Sequence, residues 1–145
     1  MFYPYDPGLV VVTFKELILQ GFADGTFVNC ERSEDGFSMK AGAQGDTTRV
    51  RNRNRNGSIT VTLQQGSPVN TILSQYALLD EQAGLGFGPI SVKELGTNGA
   101  TLIAAPTAWI RKIAGAPFAQ DAESREWVFD CYRMTPFVAG AGLVL

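Results

Sequence analysis

No histidine occurs anywhere in this 145-residue chain. The commonest general base and metal ligand is therefore missing, which argues against acid–base catalysis and against imidazole-held metals. Cysteine is nearly as scarce. Cys30 and Cys131 are far apart and follow neither CxxC nor metal-ligand spacing, so they read as buried free thiols rather than a disulfide, and neither has a neighbouring motif that would activate it. No GxxxxGK(S/T) phosphate loop is present, and Gly84-Leu85-Gly86-Phe87-Gly88 precedes a predicted strand instead of a helix, which makes it a loop and not a dinucleotide fingerprint. Asp24, Glu31, Glu34, Asp35 and Asp46 lack the regular spacing of a calcium loop. No catalytic, cofactor-binding or metal-binding residue can be named, and the chain is expected not to be an enzyme.

Long apolar runs are missing too. MFYPYDPGLVVV has no basic segment ahead of its short apolar run, unlike a secretory signal, and FVAGAGLVL is too short to span a bilayer, so no membrane insertion is expected.

What remains is an ordinary globular composition, with 45% hydrophobic residues in a length that fits one domain, 1–145. The net charge is mild, at 12 basic against 14 acidic groups. One segment departs from that balance: in TRVRNRNRNGSITVTL, Arg49, Arg51, Arg53 and Arg55 fall on alternate residues. Without those four, the chain carries 8 basic against 14 acidic groups, or −6, so positive charge is concentrated locally.

Asp24-Gly25, Asp35-Gly36, Asn56-Gly57 and Asn98-Gly99 are flanked by β-prone residues, as in hairpins whose two turn residues take positive φ. Strands are predicted over 9–14, 17–22, 26–33, 37–41, 47–55, 58–64, 90–94, 101–104, 108–113 and 124–133, which gives a mainly β fold, an antiparallel sandwich or barrel. One amphipathic helix is predicted over 67–82, where Val69, Ile72, Leu73 and Tyr76 recur at helical spacing. Ser67 is placed to cap its first turn, Pro68 suits the first helical position, and Gly84 lies near its stop. Trp109 and Trp127 sit in alternating strands as packing residues, and Trp127, Phe129 and Cys131 share one side of theirs.

Turn arithmetic gives registers. About Asp35-Gly36, Cys30 faces Ala41 and Glu31 faces Lys40 as a cross-strand ion pair. About Asn56-Gly57, Arg55 faces Ser58, Arg53 faces Thr60, Arg51 faces Thr62 and Arg49 faces Gln64, which is a wholly polar face. The other face changes from Val50 with Leu63 to Asn54 with Ile59. An extended hairpin over 47–64 is thus expected to project from its sheet, and a two-stranded ribbon with so little apolar surface needs a partner.

The ordered set Tyr5-Asp6-Pro7, Val10-Val11-Val12, Gly21-Phe22-Ala23-Asp24-Gly25-Thr26-Phe27-Val28, Glu34-Asp35-Gly36-Phe37-Ser38, Arg51 to Ser58, Ser67-Pro68-Val69-Asn70, Ala108-Trp109-Ile110 and Arg125 to Phe129 spans nearly the whole chain. It resembles the tail tube proteins of contractile-tailed bacteriophages, in particular a compact myophage branch. The resemblance implies a β-sandwich or barrel with a flanking helix, assembled into hexameric rings that stack as the inner tube. It further implies a sheath protein outside, tape-measure protein and double-stranded DNA in the lumen, baseplate and terminator proteins at the ends, and a virion location after assembly in the host cytoplasm. An extended hairpin or loop reaches the adjacent ring in such tubes. Arg49, Arg51, Arg53 and Arg55 are then assigned to subunit contacts, with Glu31, Glu34, Asp35 or Asp46 of neighbours as partners. The arginine density departs from the family, whose channels tend to be acidic. A nucleic-acid-binding β barrel with the arginine ribbon as its arm is the alternative; the −6 balance elsewhere and the lack of aromatic residues on the ribbon oppose it.

Overall fold

Alternation of apolar and polar residues sets which face of each strand is buried, and the resulting elements are described for residues 5–95 and 101–139 in a computed structural model. In chain order these are β1 (Val10–Phe14), β2 (Leu17–Ile18), β3 (Val28–Arg32), β4 (Phe37–Ala41), β5 (Thr47–Arg51), β6 (Gly57–Leu63), α1 (Val69–Ala83), β7 (Gly88–Glu94), β8 (Leu102–Lys112), β9 (Arg125–Tyr132) and β10 (Thr135–Phe137). The fold is mainly β, all strand pairing is antiparallel, and α1 is the single α-helix among the described residues.

One sheet runs in the order β2-β1-β7-β8-β9-β6-β3, with β10 also on β8, while β4 and β5 pair only with each other. The large sheet is rolled. β1 and β9 are three strand spacings apart in that order, roughly 14 Å in a flat sheet, yet the rings of Phe14 and Phe129 approach to 4.9 Å. The roll does not close into a barrel, because β2 and β3 at the two ends do not pair. Inside it lie Val12 and Phe14 of β1, Ile59, Val61 and Leu63 of β6, Ile90 and Val92 of β7, and Trp127, Phe129 and Cys131 of β9.

Helix α1 closes the core with Val69, Leu73 and Ala77, which its 3.6-residue period brings to one face. The Tyr76 ring meets Phe14 edge-on at 5.8 Å. Gly84 ends the helix with a left-handed φ of 67°, and its N–H donates to the Asp80 carbonyl. The expected cap is corrected: the Ser67 hydroxyl donates to the Gln20 carbonyl at 2.7 Å, and Pro68 occupies the N-cap position without a side-chain cap bond. Ser67 is buried against the chain leaving β2, so its hydroxyl goes to that neighbour and not to the helix.

Most strands fall within the predicted runs, but 17–22 shortens to Leu17–Ile18, 47–55 ends at Arg51, Thr135–Phe137 has no predicted counterpart, and several pairings differ. The 47–64 hairpin does not form. Residues 47–51 pair with β4, whereas β6 lies between β3 and β9, with Gly57 opposite both Arg32 and Cys131. The reason is burial: Ile59, Val61 and Leu63 are each fully buried, which places β6 inside the sheet, and a projecting ribbon would strip that face of its cover. Neither does Asp35-Gly36 join β3 to β4. Glu31 lies opposite Ser58 and Lys40 opposite Thr48, so the expected Glu31–Lys40 ion pair is absent. Gly25 takes the expected positive φ, 82°, but its flanking strands β2 and β3 stand at opposite ends of the sheet. Asn98-Gly99 lies outside the described residues. Segments 101–104 and 108–113 belong to one strand, β8; it crosses Pro106 beside a shift in its register with β7, where a residue lacking an N–H is tolerated.

Candidate assembly interface

The hairpin that does project is β4–β5. Every residue of both strands is exposed, and neither strand pairs with the large sheet. Its turn is Gly42–Asp46: the Gly42 N–H donates to the Asp46 carbonyl at 2.6 Å, and Gly45 takes a φ of 91°. One face of this arm carries Phe37 and Met39 opposite Arg51 and Arg49. The Arg49 guanidinium lies 3.8 Å from the Phe37 ring centroid and that of Arg51 lies 6.0 Å from it, so both arginines cover an aromatic surface that would otherwise be bare. Met39 remains 80% exposed and Val50 48%, leaving apolar groups on both faces of the arm.

The arm returns to the sheet through residues 52–56, where the alternation of arginine and asparagine has a local purpose. The Asn52 Oδ1 accepts from the Asn54 N–H and the Asn54 Oδ1 from the Asn56 N–H, each at 3.0 Å. The Asn56 Oδ1 accepts in turn from the Arg133 N–H at 3.2 Å, and the Arg55 carbonyl accepts from the Met134 N–H. Short amide side chains thus satisfy backbone donors that have no strand partner, two residues at a time. This period of two sends Arg51, Arg53 and Arg55 outward. With Arg133 they border a depression of about 300 Å³.

Of the residues assigned to contacts from the sequence, Arg51, Arg53 and Arg55 are brought together, whereas Arg49 sits further along the arm over Phe37. Glu34 accepts from the Asn52 amide at 2.7 Å; hydrogen bonds from Asn52 and then Asn54 hold its carboxyl below the usual range. Asp35 precedes β4, Asp46 lies in the arm turn, and Glu31 is exposed on β3. Arg133 was not legible as part of this group. It stands on a lone left-handed residue (φ 53°) between β9 and β10, and only the fold brings that turn beside Asn56.

The sequence pattern of the family described as Bacteriophage PhiTE tail tube protein matches residues 13–138. The chain belongs to that family. A relative, the structural protein ORF10 of Pseudomonas phage KPP10, is 30% identical over 117 residues, covering 81% of this chain and 68% of that protein. The tail tube fold recurs in solved structures. The sheath–tube complex of the extracellular contractile injection system PVC, in its extended state, aligns with a TM-score of 0.67 at 14% identity, over 94% of this chain and 93% of that one. The tube-terminating cap of the anti-feeding prophage aligns at 0.62 and 12% identity, over 96% and 94%. The expected tail tube family is therefore shown, and the chain is a structural component of the phage tail.

Proposed function

We propose that copies of this chain assemble into hexameric rings that stack as the inner tube of a contractile tail, a non-catalytic conduit for the genome and tape-measure protein. The observation that carries this reading is the β4–β5 arm. Two five-residue strands, exposed throughout, project from a core to which they are not paired. A lone two-stranded ribbon is marginal in water. Phe37, Met39 and Val50 gain burial only against another molecule, and in a tail tube the available neighbour is the adjacent copy. The solved relatives are named as sheath–tube, terminator and cap assemblies, which supports the sheath and terminator as partners here. Arg49, Arg51, Arg53 and Arg55 belong to the subunit contacts in this reading, and the assembled protein resides in the virion after assembly in the host cytoplasm.

Negative-stain microscopy of the purified chain over a concentration series tests the proposal. Rings or tubes are expected, and replacing residues 34–55 with a short Gly-Ser linker should leave a folded protein that no longer lengthens. Small particles of one size at every concentration, even with tail nucleators present, would overturn it.

A further inference from the structure

Charged side chains are grouped differently at the two ends of the paired strands β6 and β9: four arginines crowd one depression at the first end, beside Glu31 and Glu34, and carboxylates line a depression at the second. At the end where Gly57 faces Cys131, the Arg51, Arg53, Arg55 and Arg133 guanidiniums surround their depression with no carboxylate in salt-bridge range, the only ion pair among the described residues being Arg111 with Asp130. At the end where Leu63 faces Arg125, Asp24 and Glu123 line a second open depression of about 420 Å³, and Asp121 and Glu126 are exposed nearby in the chain. The basic residue at that end, Arg125, is buried and turns its guanidinium to the Glu123 and Ser124 carbonyls, forming no ion pair with the carboxylates around it. Lys112, opposite Val128, is the exposed cation closest to it along the sheet. The 7 residues of β6 set the two ends about 20 Å apart.

We infer that the arginine depression of one copy receives the acidic end of the next copy, head to tail along the β6–β9 direction. The inference rests on the tube reading above and adds to it which ends meet. A contact between two different surfaces of the same chain does not close on itself as a two-fold dimer does; it closes a ring where the rotation allows and otherwise propagates, and the pairing inferred here is the propagating contact between rings. The arm springs from the arginine end, since Ser33 and Asn56 at its base are joined by backbone and hydroxyl hydrogen bonds to the Asn56 carbonyl. It therefore flanks the incoming copy. The acidic residues assigned from the sequence are poorer partners: Glu31, Glu34 and Asp35 lie at this same end, and Glu34 is already engaged by Asn52. Phosphate groups of nucleic acid would also suit four guanidiniums, but they leave the opposite acidic end without a role, whereas a second copy matches both ends at once.

Two reversed proteins test the pairing. One carries Arg53→Glu, Arg55→Glu and Arg133→Glu; the other carries Asp121→Lys, Glu123→Lys and Glu126→Lys. Each should fold, as read by circular dichroism and thermal melting, and each alone should form polymers shorter than wild type by about tenfold or more, because like charges now meet. Mixing the two restores an acidic end facing a basic end, so long polymers should return, and they should return again when both sets are combined in one chain. Wild-type polymers alongside folded reversed proteins that polymerise normally, or that fail to recover on mixing, would overturn the inference while leaving the tube reading intact. So would an arginine reversal that leaves polymer length unchanged but abolishes salt-sensitive binding to double-stranded DNA. Failure of the wild-type chain to polymerise would remove the tube reading and this inference together.

Discussion

The indole N–H of Trp127 donates to the Asn70 Oδ1 at 2.9 Å, and the amide nitrogen of the same Asn70 donates to the Gln64 carbonyl at 2.9 Å and the Gln65 carbonyl at 3.3 Å. One side chain in the first turn of α1 thus fixes the helix to the central strand β9 and to the end of β6. Trp127 is 2% exposed, and truncating Asn70 takes away the one acceptor that its N–H has. Asn70→Ala should destabilise the fold by about 1–3 kcal/mol, the cost of an unsatisfied buried donor. Urea titration followed by the fluorescence of Trp109 and Trp127 measures this, and an unchanged midpoint would show that the pairing is dispensable.

Gly57 occupies its position for space, not for a turn. A Cβ there would come within 2.5 Å of the Met134 methyl and 2.6 Å of the Glu31 carbonyl oxygen. The methionine tip can swing away; the backbone oxygen cannot, because β3 is held in register by five pairs with β6. Gly57→Ala should therefore lower stability by about 1–3 kcal/mol, as overpacking does in a close-packed core. At an exposed position with negative φ and open space around it, the same change would be close to neutral or stabilising. Thermal denaturation separates the two.

That contrast explains what could be read from the sequence. Strand positions were legible because Ile59, Val61 and Leu63, or Trp127, Phe129 and Cys131, alternate with polar residues and only a half-buried strand suits that pattern. The helix was legible from its period, and Gly84 from its place after the last apolar turn. Partners were not legible. Asn-Gly dipeptides favour positive φ in isolation, but Asn56 spends its amide oxygen on Arg133 and its carbonyl on Ser33, both far away in the chain. The actual arm turn at Gly42–Asp46 has no Asn-Gly signal, and the arginine depression depends on Arg133, which no local spacing ties to residues 51–55. The projecting hairpin was foreseeable in kind, from a ribbon with little apolar surface, but it is built from residues 37–51.

Burial raises both thiols, that of Cys30 to about 11 and that of Cys131 to about 12, from an ordinary value near 9.0. Desolvation disfavours the thiolate, with a smaller repulsion between Cys131 and both Cys30 and Asp130. An acid raised on folding holds its proton after the unfolded chain has lost its own. The stabilisation is therefore fully present below about pH 9.0 and falls as pH rises from there through 11 and 12. Folding stability should decline across that alkaline window, and the Cys30→Ala, Cys131→Ala double variant should show a shallower decline when melting is followed against pH. Alkylation by iodoacetamide at pH 8 should be slow in the native protein and fast in denaturant.

The asparagine ladder makes the connection between arm and core a separable element. Asn52, Asn54 and Asn56 accept from the backbone N–H groups of Asn54, Asn56 and Arg133 in succession, and none of these contacts touches the apolar core. Replacing Asn52 and Asn54 with alanine should leave the melting temperature nearly unchanged, since these donors can turn to solvent at the surface. Backbone amide exchange at positions 54 and 56 should accelerate markedly, because a local opening replaces the fixed connector. Arg53 and Arg55 would then lose their common orientation, and the variant should polymerise more slowly than wild type in light scattering despite keeping every arginine. Acid should act in the same direction: protonation of Glu34, whose carboxylate is favoured by hydrogen bonds from Asn52 and then Asn54, removes that stabilisation as pH falls through its lowered pKa. Wild-type polymerisation by the double alanine variant, with exchange at positions 54 and 56 already fast, would show that assembly needs the arginine charges but not their fixed arrangement.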